Sequence, residues 1–456
     1  MKGRQGGGHR GGVKAPSDGR SGPAGRPGAG DRRGATGTAK ALSGAARPAV
    51  SAPRPARATR GDAIAVNGHS DRWLSQGFPW VYPNEVEAGA VAPAGREVVL
   101  LGPQGAARGR GLTDTGWIAV RRFREDDGAL DAAWMRDVVA KAASRRLGVV
   151  GGDTTAWRRL HAENDGLPGI RVDGWGRHRS VILDTPSVGA LLPLLVDALV
   201  AEGEVDAIWL SYRLDARDRE VEIGSLRPAP GLLWGEGARE EVLVREDGMT
   251  MAVRPWEGPD VGMYLDMRDV RRWLAPRWAG MSVLNLFAYT GAFSVAARRG
   301  GARSTVTVDL SRPNLDRARE NFRHNGFDPD AEGWACEDAF KALDRFRRQG
   351  ARFDRVIVDP PSFSHGPVGT WSARQDLPRL VAASAAVTAP GGWLVIASNQ
   401  GQVAPREFRG QVAQGLAKAG RTGVELAWFS AAPDFPARTT FPEGHYLKVG
   451  VWAVDP

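Results

Sequence analysis

Apolar and polar positions along the chain fall into distinct regimes. Residues 1–60 show no apolar periodicity and are rich in Gly, Pro, Ala and Arg. Such a segment cannot bury enough surface to offset its ordering entropy, so a disordered tail is expected over 1–62. From 64 to 123 short apolar runs alternate with turn residues. Val98-Val99-Leu100-Leu101 precedes Gly102-Pro103-Gln104-Gly105, and Gly116-Trp117-Ile118-Ala119-Val120 precedes the basic pair Arg121 and Arg122. That spacing predicts a small β-rich module over 63–130. The period then changes. Over 131–147, Trp134, Val138 and Ala142 recur at i, i+4 and i+8, with Arg145 and Arg146 near the end, which predicts an amphipathic helix carrying cations at its C-terminus. Strand-like stretches at 169–184 and 205–226 around a helix-like 188–200 complete an expected α+β middle domain over 131–255, where the pattern points to no chemistry.

From residue 280 onward strand and helix alternate regularly. Strands are predicted at 282–287, 304–308, 334–336, 356–358 and 393–397, with helices at 291–299 and 312–324. This rhythm predicts an α/β fold over 256–456, a parallel, doubly wound, Rossmann-like sheet with its ligand at the carboxyl ends of the strands. Each strand delivers a polar residue to that edge: Asn285 near the end of the first, Asp309 after the second, Glu337 and Asp338 after the third, Asp359 after the fourth, Ser398 and Asn399 after the fifth.

Charge alters the picture less than its total suggests. The chain of 456 residues carries a formal +9, but the first 60 residues hold +11 of it, leaving the rest at −2. The tail could attract RNA through phosphate contacts, or be solvated filler or an upstream over-extension of the true start. The single cysteine, Cys336, forms no internal disulfide and no multi-cysteine metal site, so no metal is expected and a reducing compartment fits. With no apolar run long enough for a bilayer and no secretory signal, the expectation is a cytoplasmic protein without a membrane partner.

A nucleoside cofactor needs a close backbone turn after the first strand and an acid after the second. The run Asn285-Leu286-Phe287-Ala288-Tyr289-Thr290-Gly291 supplies the turn, and Asp309 lies 18 residues past Gly291 to accept ribose hydroxyls. A pyrophosphate cradle would want three glycines. Only Gly291 is present, so the phosphate-free S-adenosylmethionine is the expected cofactor, with Asp338 accepting from the adenine amino group and Phe340 or a neighbour packing on the ring. At the fourth strand, Asp359-Pro360-Pro361-Ser362-Phe363 has a backbone fixed by prolines. Asp359 and a proline carbonyl could hold the edge of a base while Phe363 stacks on it. Any one of these features alone is more often a cap or a strand end.

LNLFAYTGAFS, TVDLS, ARENFRHNG, FDRVIVDPPSF and FPEGHYLK, with GMYLDMR upstream, resemble the bacterial large-subunit rRNA methyltransferases of the RlmI and RlmK type. FPWVYPNEVE resembles that family's N-terminal PUA RNA-binding module, and HAENDGLPGI the start of its middle domain, so the likeness covers about 64 to 454. The resemblance implies a PUA module, a linking α+β domain and a class I methyltransferase domain, acting on RNA, with 23S rRNA the implied partner. It makes Tyr264, Asp266 and Arg268 candidates for closing over the cofactor. Both a single chain and a homodimer stay open.

One departure bears on the reaction. Cytosine-C5 members carry Ser-Cys-Ser after the fifth strand, because C5 needs a thiolate added at C6. Here Ser398-Asn399-Gln400 stands there, which resembles the guanine-N7 branch. Guanine N7 is therefore the preferred acceptor, with Asn399 helping to hold the base or merely capping the strand. The PUA-first order resembles the cytosine-C5 branch instead, which remains the alternative. A non-catalytic RNA-binding protein with a methyltransferase shell, and a methyltransferase acting on protein or small molecules, are the readings from other classes.

Overall fold

The computed structural model describes residues 62–455 apart from 88–92, 215–226, 238 and 367–368; of 363–366, 369, 370 and 373 it describes the backbone alone. The expected tail lies outside the described residues, as does most of the second half of the predicted strand region 205–226.

A five-stranded sheet comes first, in the order Ala63–Ala65, Glu97–Leu101, Ala107–Thr113, Val120–Arg124, Trp80–Val81. Helix Gly68–Ser75, capped by the Asn67 side chain, adds Leu74 to a core of Ile64, Val66, Val81, Val98, Leu100 and Val120. The sequence pattern ended a strand before Arg121 and Arg122. Instead both arginines lie within Val120–Arg124 and are buried. Arg121 is held by Asp114 and Glu163, and Arg122 donates to the carbonyls of Leu74 and Arg108.

The middle region begins with helix Ala132–Arg146, whose N-cap Asp131 accepts from the Trp134 amide. It packs with helix Leu192–Ala201 on a five-stranded sheet ordered Gly231–Gly235, Ala207–Tyr212, His178–Leu183, Ile170–Trp175, Ala156–His161. The stretch predicted as one strand over 169–184 is a hairpin of two.

The last sheet has seven strands: β1 (Ser282–Leu286), β2 (Ser304–Asp309), β3 (Gly333–Cys336), β4 (Phe353–Val358), β5 (Thr388–Ser398), β6 (Gly423–Phe429) and β7 (Lys448–Val454). Their order is β3-β2-β1-β4-β5-β7-β6. The first five pair in parallel, as expected, while β7 runs antiparallel between β5 and β6. Helices α1 (Ala292–Arg299), α2 (Arg312–His324), α3 (Ala339–Arg348), α4 (Ala373–Ala385) and α5 (Pro405–Lys418) connect them. Both faces are covered. Leu284 and Leu286 of β1 enter a core with Leu343, Phe346, Leu380 and Phe408, whereas Val283 faces Val270, Leu274, Trp278 and Phe293. The strand order reverses between β1 and β4, so a crevice opens at their carboxyl ends.

Candidate active site

That crevice is a cavity of about 460 Å³. Its floor is the turn after β1. Phe287 (φ +56°), Tyr289 (φ +50°) and Gly291 (φ +79°) all adopt the left-handed region. For the two aromatic residues this costs on the order of 1–3 kcal/mol each, so surrounding bonds must hold the turn. They are present: the Tyr289 amide donates to Asp309 Oδ2 at 2.8 Å, the Tyr289 hydroxyl to the Asp260 carbonyl at 2.8 Å, the Thr290 hydroxyl to the Gly262 carbonyl, and Asn321 Nδ2 to the Thr290 carbonyl at 2.9 Å. Asn285 Nδ2 donates to Ser294 Oγ at 3.0 Å, tying the strand end to α1. At position 291 a Cβ would stand 2.9 Å from the Cβ of Ala318 on α2, so glycine lets the two elements approach.

Asp309 accepts from three donors, the amides of Tyr289 and Ser311 at 2.8 Å and Asn314 Nδ2 at 3.3 Å. A carboxylate has about four acceptor sites, so capacity remains toward the cavity it lines. Asp338 caps α3: its Oδ1 accepts from the amides of Phe340 and Lys341 at 3.0 and 3.2 Å. Asp338 is thus a cap and a cavity residue together, with Oδ2 left over. Phe340 lines the wall, with the Arg379 guanidinium 4.3 Å above its ring, and Leu310, an exposed apolar residue, lines it too.

Asp359 lines the opposite wall. Desolvation, reinforced by the neighbouring Asp266 carboxylate, pushes its pKa up from 3.8 to about 7. Asp266 is also raised by burial, although its Oδ2 accepts from the Tyr446 hydroxyl at 2.7 Å. Arg271, in the helix Arg268–Leu274, supplies the nearby positive charge. Its Nε and Nη2 bind Glu246 at 2.6 and 2.8 Å, and Nη2 also donates to the Tyr264 carbonyl at 3.0 Å. Tyr264 lies at the mouth, 45% exposed, with its ring 5.3 Å from that of Tyr289.

Of the residues expected from sequence, Tyr264, Asp266, Asn285, Phe287, Tyr289, Thr290, Asp309, Asp338, Asp359, Pro360, Pro361 and Asn399 line this cavity, while Gly291 lies in the turn but not in the lining. Arg268 does not. Its guanidinium is fully buried against Asp434 and lines neither large cavity, because a charge that deep must be paired. The cation beside Asp266 and Asp359 is Arg271, three residues on, and Arg379 lines the cavity as well. Phe363 begins the strand Phe363–Gly366, and its side chain lies outside the described residues. The aromatic ring at this wall is Trp371, near Phe287 and Phe340. Its indole donates to the Pro361 carbonyl at 2.7 Å, so that carbonyl is already engaged. Asn399 is exposed and takes a hydrogen bond from the Ser362 hydroxyl. Cys336 is exposed at the end of β3, donates weakly to the Leu310 carbonyl at 3.6 Å, and lines neither large cavity.

A model of the S-adenosylmethionine-dependent methyltransferase family matches residues 223–428. Ribosomal RNA large subunit methyltransferase I of Shewanella amazonensis is 32% identical over 389 residues, covering 84% of this chain and 97% of its own. The protein of the same name from Alteromonas mediterranea is 32% identical over 402 residues, again covering 84% and 97%. The crystal structure of SMU.776 complexed with SAH has a TM-score of 0.77 at 23% identity and covers 86% of this chain and 99% of that one.

Proposed function

Because this chain belongs to the S-adenosylmethionine-dependent large-subunit rRNA methyltransferases of the RlmI and RlmK type, we propose that it methylates a base of 23S rRNA held at Asp359-Pro360-Pro361, without a cysteine adduct. The membership makes the chain an rRNA-modifying enzyme and sets aside the non-catalytic reading. Bound S-adenosylmethionine supplies a methyl group on a sulfonium centre. The residues present fit it: Asp309 retains acceptor capacity for a ribose hydroxyl, Asp338 lines the same cavity with only Oδ1 used by its cap, and Leu310 and Phe340 offer apolar surfaces for the adenine. Asp266 and Asp359 place carboxyls where the cationic end would lie.

Asp359, with a pKa of about 7, offers either hydrogen-bond polarity near neutrality and so can meet a base edge as donor or acceptor. The expectation of guanine N7 draws no support from the relatives. Their shared name is methyltransferase I, which favours the RlmI branch and with it the cytosine-C5 alternative. What weighs against C5 chemistry is Asn399: no thiol stands at either large cavity to add to C6. A nitrogen with its own lone pair needs only positioning against the methyl group, which this wall supplies. The five-stranded sheet over 63–124 is assigned as the PUA-type RNA-binding module and the enzyme as cytoplasmic. Among the described residues no helix is long and apolar enough to cross a membrane.

The test is mass spectrometry of 23S rRNA nucleosides from a deletion strain, complemented with the wild type or with Asp359→Ala. One methylated nucleoside should vanish on deletion, return with the wild type and stay absent with the variant. If it is 5-methylcytosine, the adduct-free reading is overturned.

A further inference from the structure

A second cavity, of about 660 Å³, opens beside the first. Met263, Tyr264, Asp266 and Asn399 line both, so the two meet next to Asp359. Its remaining walls come from every folded region: Trp80 and Trp117 from the N-terminal sheet and its turns, His161 and Arg171 from the middle sheet, Tyr446 from the segment before β7. Pockets that enclose small ligands run to about 300–1,000 Å³, so one nucleotide fits.

The charges around it are sorted by depth. Arg121 and Arg158 lie deep and are paired with carboxylates, Arg121 with Asp114 and Glu163 at 2.5 and 3.0 Å, Arg158 with Asp173 at 2.5 Å. Arg158 also donates to His161 Nδ1 at 2.9 Å, and burial holds that imidazole neutral with its proton on Nε2. The deep arginines are thus offset by carboxylates, which suits an uncharged base and sugar, while Glu443 adds an exposed carboxylate to the lining. Arg171 and Arg213 are different. Their side chains are 28% and 48% exposed, and each meets one carboxylate through a single nitrogen, Asp184 at 2.7 Å and Asp260 at 2.8 Å. The Arg213 pair is exposed and therefore weak, the Arg171 pair is partly buried, and each guanidinium keeps donors for a phosphate oxygen. Trp117 lines the same cavity with 64% of its surface exposed, a large ring at a site where a neighbouring base could stack.

Building on the rRNA-methylating reading, we propose that this second cavity receives the extruded target nucleotide of a single-stranded RNA segment, with its flanking phosphates on Arg171 and Arg213 and an adjacent base stacked on Trp117. The base then reaches Asp359 through the junction at Tyr264 and Asn399.

The test uses the full chain and protein-free 23S rRNA transcribed in vitro. Filter binding across a salt series, with S-adenosylhomocysteine present, is run beside methyl incorporation, and calorimetry with S-adenosylhomocysteine checks that each variant is folded. Trp117→Ala should weaken RNA binding roughly 10- to 100-fold while Trp117→Phe largely restores it. The double variant Arg171→Ala with Arg213→Ala should reduce the slope of log affinity against log salt by about 1.4, roughly 0.7 for each phosphate contact on a single strand. Cofactor affinity of Trp117→Ala should match the wild type. RNA affinity and salt slope unchanged in both variants, or a wild type that does not bind RNA, would overturn the assignment. A wild type that binds RNA through these residues yet transfers no methyl group would instead sink the functional reading and leave the cavity assignment standing.

Discussion

Arg268 and Asp434, 166 residues apart, form an ion pair in which neither side chain is exposed to solvent. Asp434 Oδ2 also accepts from the Arg158 amide at 2.8 Å, and its carbonyl accepts from Arg146 Nη2 at 2.9 Å. One aspartate thus pins the helix Arg268–Leu274 to the middle sheet. Removing one member of a buried pair leaves the other charge unpaired, so Asp434→Ala should destabilise the fold by about 3–5 kcal/mol in urea unfolding. Replacing both members by apolar residues should cost clearly less than the sum of the single changes. If Arg268→Met weakens cofactor binding in a protein of unchanged stability, the pair is not structural.

Asp309→Ala should remove a charge-assisted hydrogen bond to the cofactor ribose, worth about 1.5–3 kcal/mol, and so lower S-adenosylmethionine affinity roughly 10- to 150-fold. Because Asp309 also receives the Tyr289 amide at 2.8 Å, the variant should lose stability as well, whereas Asp309→Asn should keep more of both. Calorimetry and thermal unfolding on the same samples separate the two effects.

Asp359 makes ligand binding and stability depend on pH in opposite directions. In the free protein its pKa is about 7, against 3.8 when unfolded. A raised carboxyl pKa means that the folded state binds the extra proton, so its contribution is fully present below pH 3.8 and is lost as pH rises through about 7. Asp359→Asn should therefore melt higher than the wild type above pH 7 and converge with it toward pH 4. A cationic ligand favours the carboxylate, so S-adenosylmethionine affinity should rise with pH through the same range and be flat in the variant. A pH-independent wild type refutes this.

Cys336 should be dispensable. It lines neither large cavity, so Cys336→Ser should retain methyl transfer. An adduct with 5-fluorocytosine-containing rRNA that forms in the wild type and disappears in Cys336→Ser would restore the thiol mechanism.

The alternation of apolar strands and amphipathic helices made the final sheet legible, and the polar residue at each strand end marked the edge where the cavity opens, because both are local patterns. Pairings over long separations were not legible. Arg268, Arg271 and Arg272 look alike in sequence, and only Asp434, Glu246 and Asp247 decide which is buried beneath the site, which lines it and which is at the surface. Arg121 and Arg122 misled for the same reason: arginine after an apolar run reads as a solvated strand end until Asp114 and Glu163 are found beside it. The second cavity was invisible, since Trp80, Trp117, His161 and Arg171 come from three stretches far apart in sequence and nothing local shows that they share one wall. Antiparallel β7 follows a long, irregular stretch that carries no alternation to read.

Two demands converge on the carboxylate of Asp338, whose Oδ1 caps the start of α3 in a residue that also lines the cavity. Asn, Ser and Thr would serve the helix nearly as well, but under the proposed cofactor pose Asn would turn a donor toward the adenine amino group and the hydroxyls would withdraw from it. Glu would keep the charge and lose the short reach that a cap requires. The set of side chains that descendants of this chain can accept at 338 is therefore narrower than either demand alone would impose, and drift there would be filtered twice.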